Sequence, residues 1–408
     1  MPGSRRFAPA VWLLGWASLF TDAATEMIYP LLPVYLSAVL GASAVSLGIV
    51  EGVAEAINSV LKVVAGRWSD RVGRRKPIVI AGYALSSVAR PFIAITSSWL
   101  QVLAIRAVDR TGKGIRGAPR DAILAQAAGP GDRGRVFGFH RAMDHTGAIV
   151  GPLLATGILY FAPDNYRLVF ALSAIPGAIA VWLLFRVKET VVVSAFRRTV
   201  PPSPAEAGHY DSGNRKPLTV YLFVLMLFSL GNSADAFLLL RLSDALGGVT
   251  FVPLLWAGLH VVKASLSTWG GELSDRLGRK QTIVAGWAVY AIVYLGFAWS
   301  ASPAAFIAWF LIYGLYFALT EGAEKALIAD LAPASRQGTA FGYYYATLGI
   351  GALIASVMFG VIFERFGPGA AFGTGAALAG CASMLLLMFV QAPDAKIDGS
   401  DAPDSRNQ

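Results

Sequence analysis

The chain has 408 residues, of which 55% are hydrophobic and only 14% charged, with a formal net charge of +9. A soluble domain carries roughly 25% charged residues, so one large water-soluble core is excluded. The mean hydropathy of +0.57 and recurring apolar stretches of about 20 residues, each long enough to cross a bilayer core, define a polytopic membrane protein. The basic balance does not call for nucleic acid, because Lys and Arg crowd the short loops of one side, as the positive-inside bias requires. Cys381 is the only cysteine, so no disulfide can form within the chain. No cluster has metal-ligand spacing, and neither H-E-x-x-H nor G-x-S-x-G occurs. No cofactor, metal or enzymatic activity is expected.

Twelve helical spans fit the length rule, at about 9–39, 44–66, 77–96, 99–128, 134–162, 167–187, 217–245, 250–271, 281–300, 303–331, 336–364 and 369–391. The basic lead "MPGSRRFAP" has no small-residue cleavage site, so no removed signal peptide is expected. The first span contains "FTDAATEMIYPLLP". Asp22 and Glu26 lie four apart on one helical face near mid-membrane. Ionisable groups at that depth are costly and mark functional candidates, so this pair is expected to carry coupled protons. Pro30, Pro33, Pro119 and Pro152 are expected bend points.

Spans 2 and 3 are joined by "GRWSDRVGRRK". Gly66 lets helices approach closely and Gly73 suits a tight turn. Asp70 can accept hydrogen bonds from a helix N-terminus or pair with a nearby Arg.

The fourth span holds "IRAVDRTGKGIRGAPRD". At 100° per residue Arg106, Asp109, Arg110, Lys113, Arg116, Arg120 and Asp121 fall within an arc of about 140°. Val108, Thr111, Gly112, Ile115, Ala118 and Ala122 take the opposite side. Such a stripe belongs on a water-filled cavity or in an ion-pair network, away from lipid. The fifth span adds Arg141 and Asp144 with His140 and His145. Asp109 and Asp144 join the proton-coupling candidates, and Arg106, Arg110, Lys113, Arg116, Arg120 and Arg141 are the candidate substrate contacts. The first half balances eight buried bases, Lys62 and Arg90 among them, against seven acids including Glu51 and Glu55, so mutual pairing is the competing explanation for each.

Residues 188–216 are polar, Pro-rich and charged and read as a cytoplasmic linker between a bundle at 1–187 and one at 217–392. Spans 7, 8 and 10 add Asp235, Arg241, His260, Lys263, Glu321, Glu324 and Lys325. Asp235, Glu321 and Tyr344 are taken as further substrate contacts. The second half is aromatic at Trp256, Tyr313, Tyr316, Phe317, Tyr343, Tyr344 and Tyr345, and a charged half facing an aromatic half suits an amphipathic solute with an anionic group. The tail 393–408 is expected to be disordered. The loop charges place both termini in the cytoplasm.

The loop phrase returns as "GELSDRLGRKQ", where Gly271, Asp275, Arg276, Gly278 and Arg279 repeat the pattern about 205 residues on. A second echo pairs Gly134, Phe137, Gly138 and Gly147 with Gly338, Phe341, Gly342 and Gly351. Two loops at nearly one offset imply duplicated halves. Twelve spans, a central loop and G-x-x-x-D-R-x-G-R-[RK] in both halves resemble the major facilitator superfamily, whose repeat-built fold is well known. The resemblance implies an all-α membrane protein with twelve transmembrane helices in two pseudo-symmetric six-helix bundles. It also implies a conformational latch at Gly66, Asp70, Arg71, Gly73 and Arg74, with Gly271, Asp275, Arg276, Gly278 and Arg279 as its second copy. "GAIVGPLLATG" resembles the fifth-helix signature of proton-coupled exporters through Gly147, Gly151 and Pro152, while Ala155 and Thr156 replace its last two glycines. The fourth span departs from the family, since Asp109 and Arg110 stand where a Gln and a Gly are usual, and this makes the site more charged than a typical drug exporter.

The expected function is therefore secondary active transport by alternating access. Proton-coupled export of a small amphipathic organic molecule, anionic ones included, comes first. Proton-coupled uptake of an organic anion is the alternative, and a non-transporting membrane receptor the remote one. The expected partners are the solute, protons and the lipid bilayer, with the chain acting as a monomer in the inner membrane.

Overall fold

A computed structural model of the chain describes residues 7–32, 35–42, 44–187, 216–233, 235–246 and 252–390. The linker at 188–215, the tail from 391, Pro33 and the side chain of Glu51 lie outside the described residues. Those residues contain helices and no strand. The spans are α1 (Pro9–Glu26), α2 (Ala44–Val72), α3 (Lys76–Ala89, extended by a 3-10 turn at Arg90–Ile95), α4 (Trp99–Ala127) and α5 (Arg133–Phe161). Next come α6 (Tyr166–Leu172 and Ala174–Arg186), α7 (Lys216–Gly231 and Ala236–Leu246), α8 (Val252–Leu277), α9 (Arg279–Trp299) and α10 (Pro303–Leu331). The helix Gln337–Phe389 breaks at Gly367 (φ 84°) before Pro368, which divides it into α11 (337–366) and α12 (368–389).

Several boundaries differ from the sequence expectation for local reasons. The helix of α1 stops at Glu26, because Pro30 sits in a 3-10 turn at Tyr29–Leu31 that is followed by a π turn at Tyr35–Val39. α2 and α8 run on through the repeated phrase to Val72 and Leu277. Asp70 and Asp275 therefore stand on the last helical turn, and the reversal is left to Gly73 (φ 68°) and Gly278 (φ 101°), a backbone region that L side chains avoid. Pro119 and Pro152 lie inside helices that continue past them. Serine caps repeat with the halves: Ser98 accepts from the Gln101 amide at the start of α4, and Ser302 from Ala305 at the start of α10.

Among the described residues, five stretches are long and apolar enough to cross a membrane by composition: Lys76–Ile95, Tyr166–Arg186, Arg279–Trp299, Pro303–Leu331 and Ala334–Phe389. The charged stripe of α4 keeps it out of that set. Its charges turn inward, with Arg106, Asp109, Arg110, Arg116 and Asp121 buried, whereas Val108 is exposed. The opposite side is not simply lipid-facing. Gly112 lies so close to the Gly82 carbonyl and Ser86 of α3 that a Cβ could not fit.

Two six-helix bundles result, α1–α6 and α7–α12. The second is filled by rings, with Phe228 stacked on Trp287 at 4.3 Å and Tyr290 on Tyr294 at 4.1 Å. The bundles meet along α2 with α11 and α5 with α8. Glycine makes these seams possible: Gly66 faces the Gly338 carbonyl, Gly271 the Gly134 carbonyl and Gly138 the Ser267 carbonyl, all too near for a Cβ. Gly271→Val should wedge the second seam open. In a Cys381→Ser background, Ser267→Cys, buried at that seam, should be alkylated at least about fivefold faster when Gly271→Val is added. An unchanged rate would mean that the glycine contact does not hold the closed form.

Candidate functional site

The repeated phrase acts across the bundles. Asp70 accepts from the amides of Gly338 (3.0 Å) and Thr339 (2.6 Å) in the first turn of α11. Asp275 accepts from the amides of Gly134 (2.9 Å) and Arg135 (2.7 Å) in the first turn of α5. Each carboxylate thus neutralises orphan N–H groups and the positive end of a helix that belongs to the other half. Arg75 holds Asp70 at 2.9 Å and also donates to the Ala334 carbonyl. Arg279 binds Asp275 and, at 3.0 Å, Asp330, which Arg133 also pairs. The structure does not bring Arg71, Arg74 or Arg276 into these clasps; all three are exposed. Sequence reasoning missed Arg75 and Asp330. Arg75 fills the last place of the repeated pattern, where the second copy has Lys280 while its clasp arginine is Arg279, and Asp330 has Gln126 as its counterpart in the first half.

Above the clasps the buried charges form layers, which the helical rise of 1.5 Å per residue ranks by depth. About 9 Å from the basic-loop ends of α4 and α10, Asp121 and Lys325 pair at 2.9 Å with no exposure on either side chain. Arg120 (3.0 Å) and the Tyr345 hydroxyl complete the shell of Asp121. At about 15–18 Å, His145 meets Glu321 at 2.9 Å, and Arg141 bridges Asp144 (3.1 Å) and Glu321 (3.7 Å). Ser18 donates to Asp144, and His140 lies 3.5 Å from it. These pairs join the halves through α4, α5 and α10.

The remaining candidates divide into held and unheld groups. Asp109 is held by Arg90 at 2.9 Å and Arg106 at 3.5 Å. Arg116 donates to Ser86 at 3.0 Å and lies 4.2 Å over the Tyr83 ring. Asp235 accepts from Tyr313 at 2.9 Å, and Glu324 accepts from Tyr344 (3.0 Å) and Trp287 (3.2 Å). Tyr344 is thereby tied into the ring-filled core with Tyr313 and Tyr316, and Tyr343 is exposed and receives a bond from Arg67.

Asp22, Glu26, Arg110 and Lys113 make no hydrogen bond or ion pair among the described residues. They stand together about 20–26 Å from the basic-loop end. Asp22 faces Lys113, Arg116, Arg120 and Asp144, and Glu26 faces Asp22, Lys113, Arg110 and Arg106. Two glycines of α5 seat the acid pair. A Cβ on Gly147 would meet the Leu19 carbonyl and, at 3.0 Å, Asp22 Cβ; one on Gly151 would meet the Ala23 carbonyl at 2.6 Å and Glu26 Cβ at 2.8 Å. The fifth-helix glycines and the first-span carboxylates are therefore one construction, which neither stretch of sequence reveals alone. No His, Cys or carboxylate cluster among the described residues could hold a metal ion.

Twelve helices in two repeat-related bundles, with ionisable groups gathered at mid-span between them, define a membrane transporter. The profile of the Major Facilitator Superfamily matches residues 14–247 and again 221–405. An uncharacterised MFS-type transporter of Methanocaldococcus jannaschii is 34% identical over 95% of this chain and 96% of its own. The multidrug resistance protein MdtH of Salmonella newport is 23% identical, over 83% and 82%. The proton:xylose symporter XylE superposes with a TM-score of 0.74 at 20% identity, over 95% of this chain and 96% of that one. This chain belongs to the major facilitator superfamily, a family of transporters rather than enzymes.

The Asp121–Lys325 pair generates a prediction. Asp121→Asn leaves Lys325 and Arg120 buried against an uncharged amide, which should cost about 3 kcal/mol. Asp121→Asn combined with Lys325→Met should recover at least half of that in denaturation of the purified protein, whereas additive losses would show that the two groups do not stabilise each other.

Proposed function

We propose that the chain is a proton-coupled exporter of small amphipathic organic molecules, anionic ones included. The observation that supports this most directly is the unpaired set Asp22, Glu26, Arg110 and Lys113, seated on Gly147 and Gly151 beside Pro152. Carboxylates without partners can bind either a proton or a donor group of the solute, and such competition is the condition for exchange. The likeness to MdtH, a multidrug resistance protein, supports export. Asp109, Asp144, Arg106, Arg116, Arg120, Arg141, Asp235, Glu321 and Tyr344 act in this reading as the frame that fixes the unpaired groups, because each already has a partner.

In this reading the basic-loop end and both termini are cytoplasmic, and the chain works as a monomer in the plasma membrane. The clasps at Asp70 and Asp275 then close the cytoplasmic side, so the form described is the outward-facing one. Residues 1–187 and 217–392 rock about the central site, with 188–216 as their tether. Uptake of an organic anion is the second reading. Lys113 and Arg110 favour it, since protonation of Asp22 or Glu26 would remove the nearby negative charge that opposes an anion at both cations and so move solute and proton together.

Proteoliposomes holding the purified protein, an internal pH dye and an imposed pH gradient test the proposal. A pool of lipophilic cations, neutral amphiphiles and organic anions should contain a solute that dissipates the gradient only when protein is present. Asp22→Asn with Glu26→Gln should lower gradient-driven flux at least about tenfold while leaving solute–solute exchange within about threefold. Undiminished gradient-driven flux in the double variant would overturn the assignment of the carboxylates.

A further inference from the structure

Among the described residues, Lys263, midway along α8, is a buried cation that stands outside these networks. It is 4% exposed, and its ammonium forms no hydrogen bond or ion pair among the described residues. What it touches is aromatic: Nζ lies 3.3 Å from the Phe317 ring centroid and 5.7 Å from that of Trp256. The carboxylates in its field, Asp235 and Glu321, are engaged elsewhere, Asp235 by Tyr313 and Glu321 by His145 and Arg141. Lys263 differs in this from Lys113, whose surroundings include the unpaired Asp22 and Glu26.

Two ring faces stabilise an ammonium by about 2 kcal/mol or somewhat more when it is desolvated. That falls short of the several kilocalories that removing such an ion from water costs. The site is therefore incomplete without an anion. The rings around it continue as a surface, with Phe317 packed on Tyr313 at 4.9 Å and Tyr316 at 4.7 Å, and Trp256 on His260 at 5.1 Å. Phe317, Trp256 and His260 are only half-buried. By the 1.5 Å rise, Lys263 stands about 21 Å from the basic-loop end of α8, the same depth as Lys113 on α4. It thus lies level with the His145–His260 contact of α5 with α8, whose rings are 5.4 Å apart.

We propose that Lys263 anchors the anionic group of an aromatic organic anion, whose ring system lies on Phe317 and Trp256. This rests on the reading of the central chamber as the solute site, and it adds the solute class and the half of the protein that recognises it. The cationic stripe of α4 is then not the primary anion site, because its guanidinium groups are largely committed to Asp109, Asp121 and Ser86.

Equilibrium binding in detergent tests the anchor without any gradient, using 2-naphthoate, its neutral isostere 2-naphthamide and benzoate. The full-length protein should bind 2-naphthoate saturably, at least about tenfold tighter than the amide and tighter than benzoate. Lys263→Met should weaken 2-naphthoate at least tenfold, Lys263→Arg should stay within threefold, and Phe317→Ala should erase the preference for naphthoate over benzoate. Removing an uncompensated charge should also raise the apparent Tm of Lys263→Met. Equal binding of acid and amide, absence of saturable 2-naphthoate binding, undiminished binding in Lys263→Met, or a lowered Tm in Lys263→Met would each overturn the anchor. If 2-naphthoate binds through Lys263 but no pH gradient drives it across proteoliposomes, the proton-coupled reading fails and the anchor stands.

Discussion

A carboxylate on the last turn of one helix satisfies the first turn of another, and this occurs twice, each time across the boundary between the bundles. Asp70 caps α11 and Asp275 caps α5. Helix N-termini leave N–H groups that something must satisfy, and here the partner is supplied only when the two halves are closed against each other. Closure is thereby written into the backbone chemistry of two helices. The glycine seams follow from the same demand: without a bare backbone at Gly66, Gly134, Gly271 and Gly338, the carboxylates could not reach.

The interior charges take their meaning from this closed end. Ion pairs joining α4, α5 and α10 lie above the clasps and below the unpaired groups. Breaking a fully buried pair leaves an uncompensated charge, which costs several kilocalories, so separation of the bundles requires water or solute to replace each partner. The unpaired groups stand just above this paired floor. Asp22, Glu26, Arg110 and Lys113 line the first half, and Lys263 with its rings lines the second.

Much of this was legible in the sequence. The repeated phrase, the offset of the halves and the α4 stripe follow from composition and period, and those signals carry over because lipid forces buried charge inward. The pairings were not legible. Asp109 and Asp22 look alike as aspartates in apolar spans, yet among the described residues Arg90 of α3 pairs with one and no side chain pairs with the other, which the packing of α3 on α4 decides. The aromatic list of the second half misled in a similar way. Tyr313, Tyr316 and Tyr344 are core residues bound to Asp235, Asn232 and Glu324, while Phe317 and Trp256 keep open faces. The clasp partner Arg75 was hidden by a shift of one residue between the two copies of the phrase.

The crossed capping has a consequence for origin. The second helix of each half meets the fifth helix of the other, so the contact is isologous: one surface answers its own copy through a twofold axis. A polypeptide of six helices would already carry both the donor turn and the acceptor carboxylate, and two identical copies facing each other would satisfy both at once. Fusion of the copies adds no new contact to that junction. It frees each side to diverge, and Asp330 opposite Gln126 is one place where the twins have ceased to match.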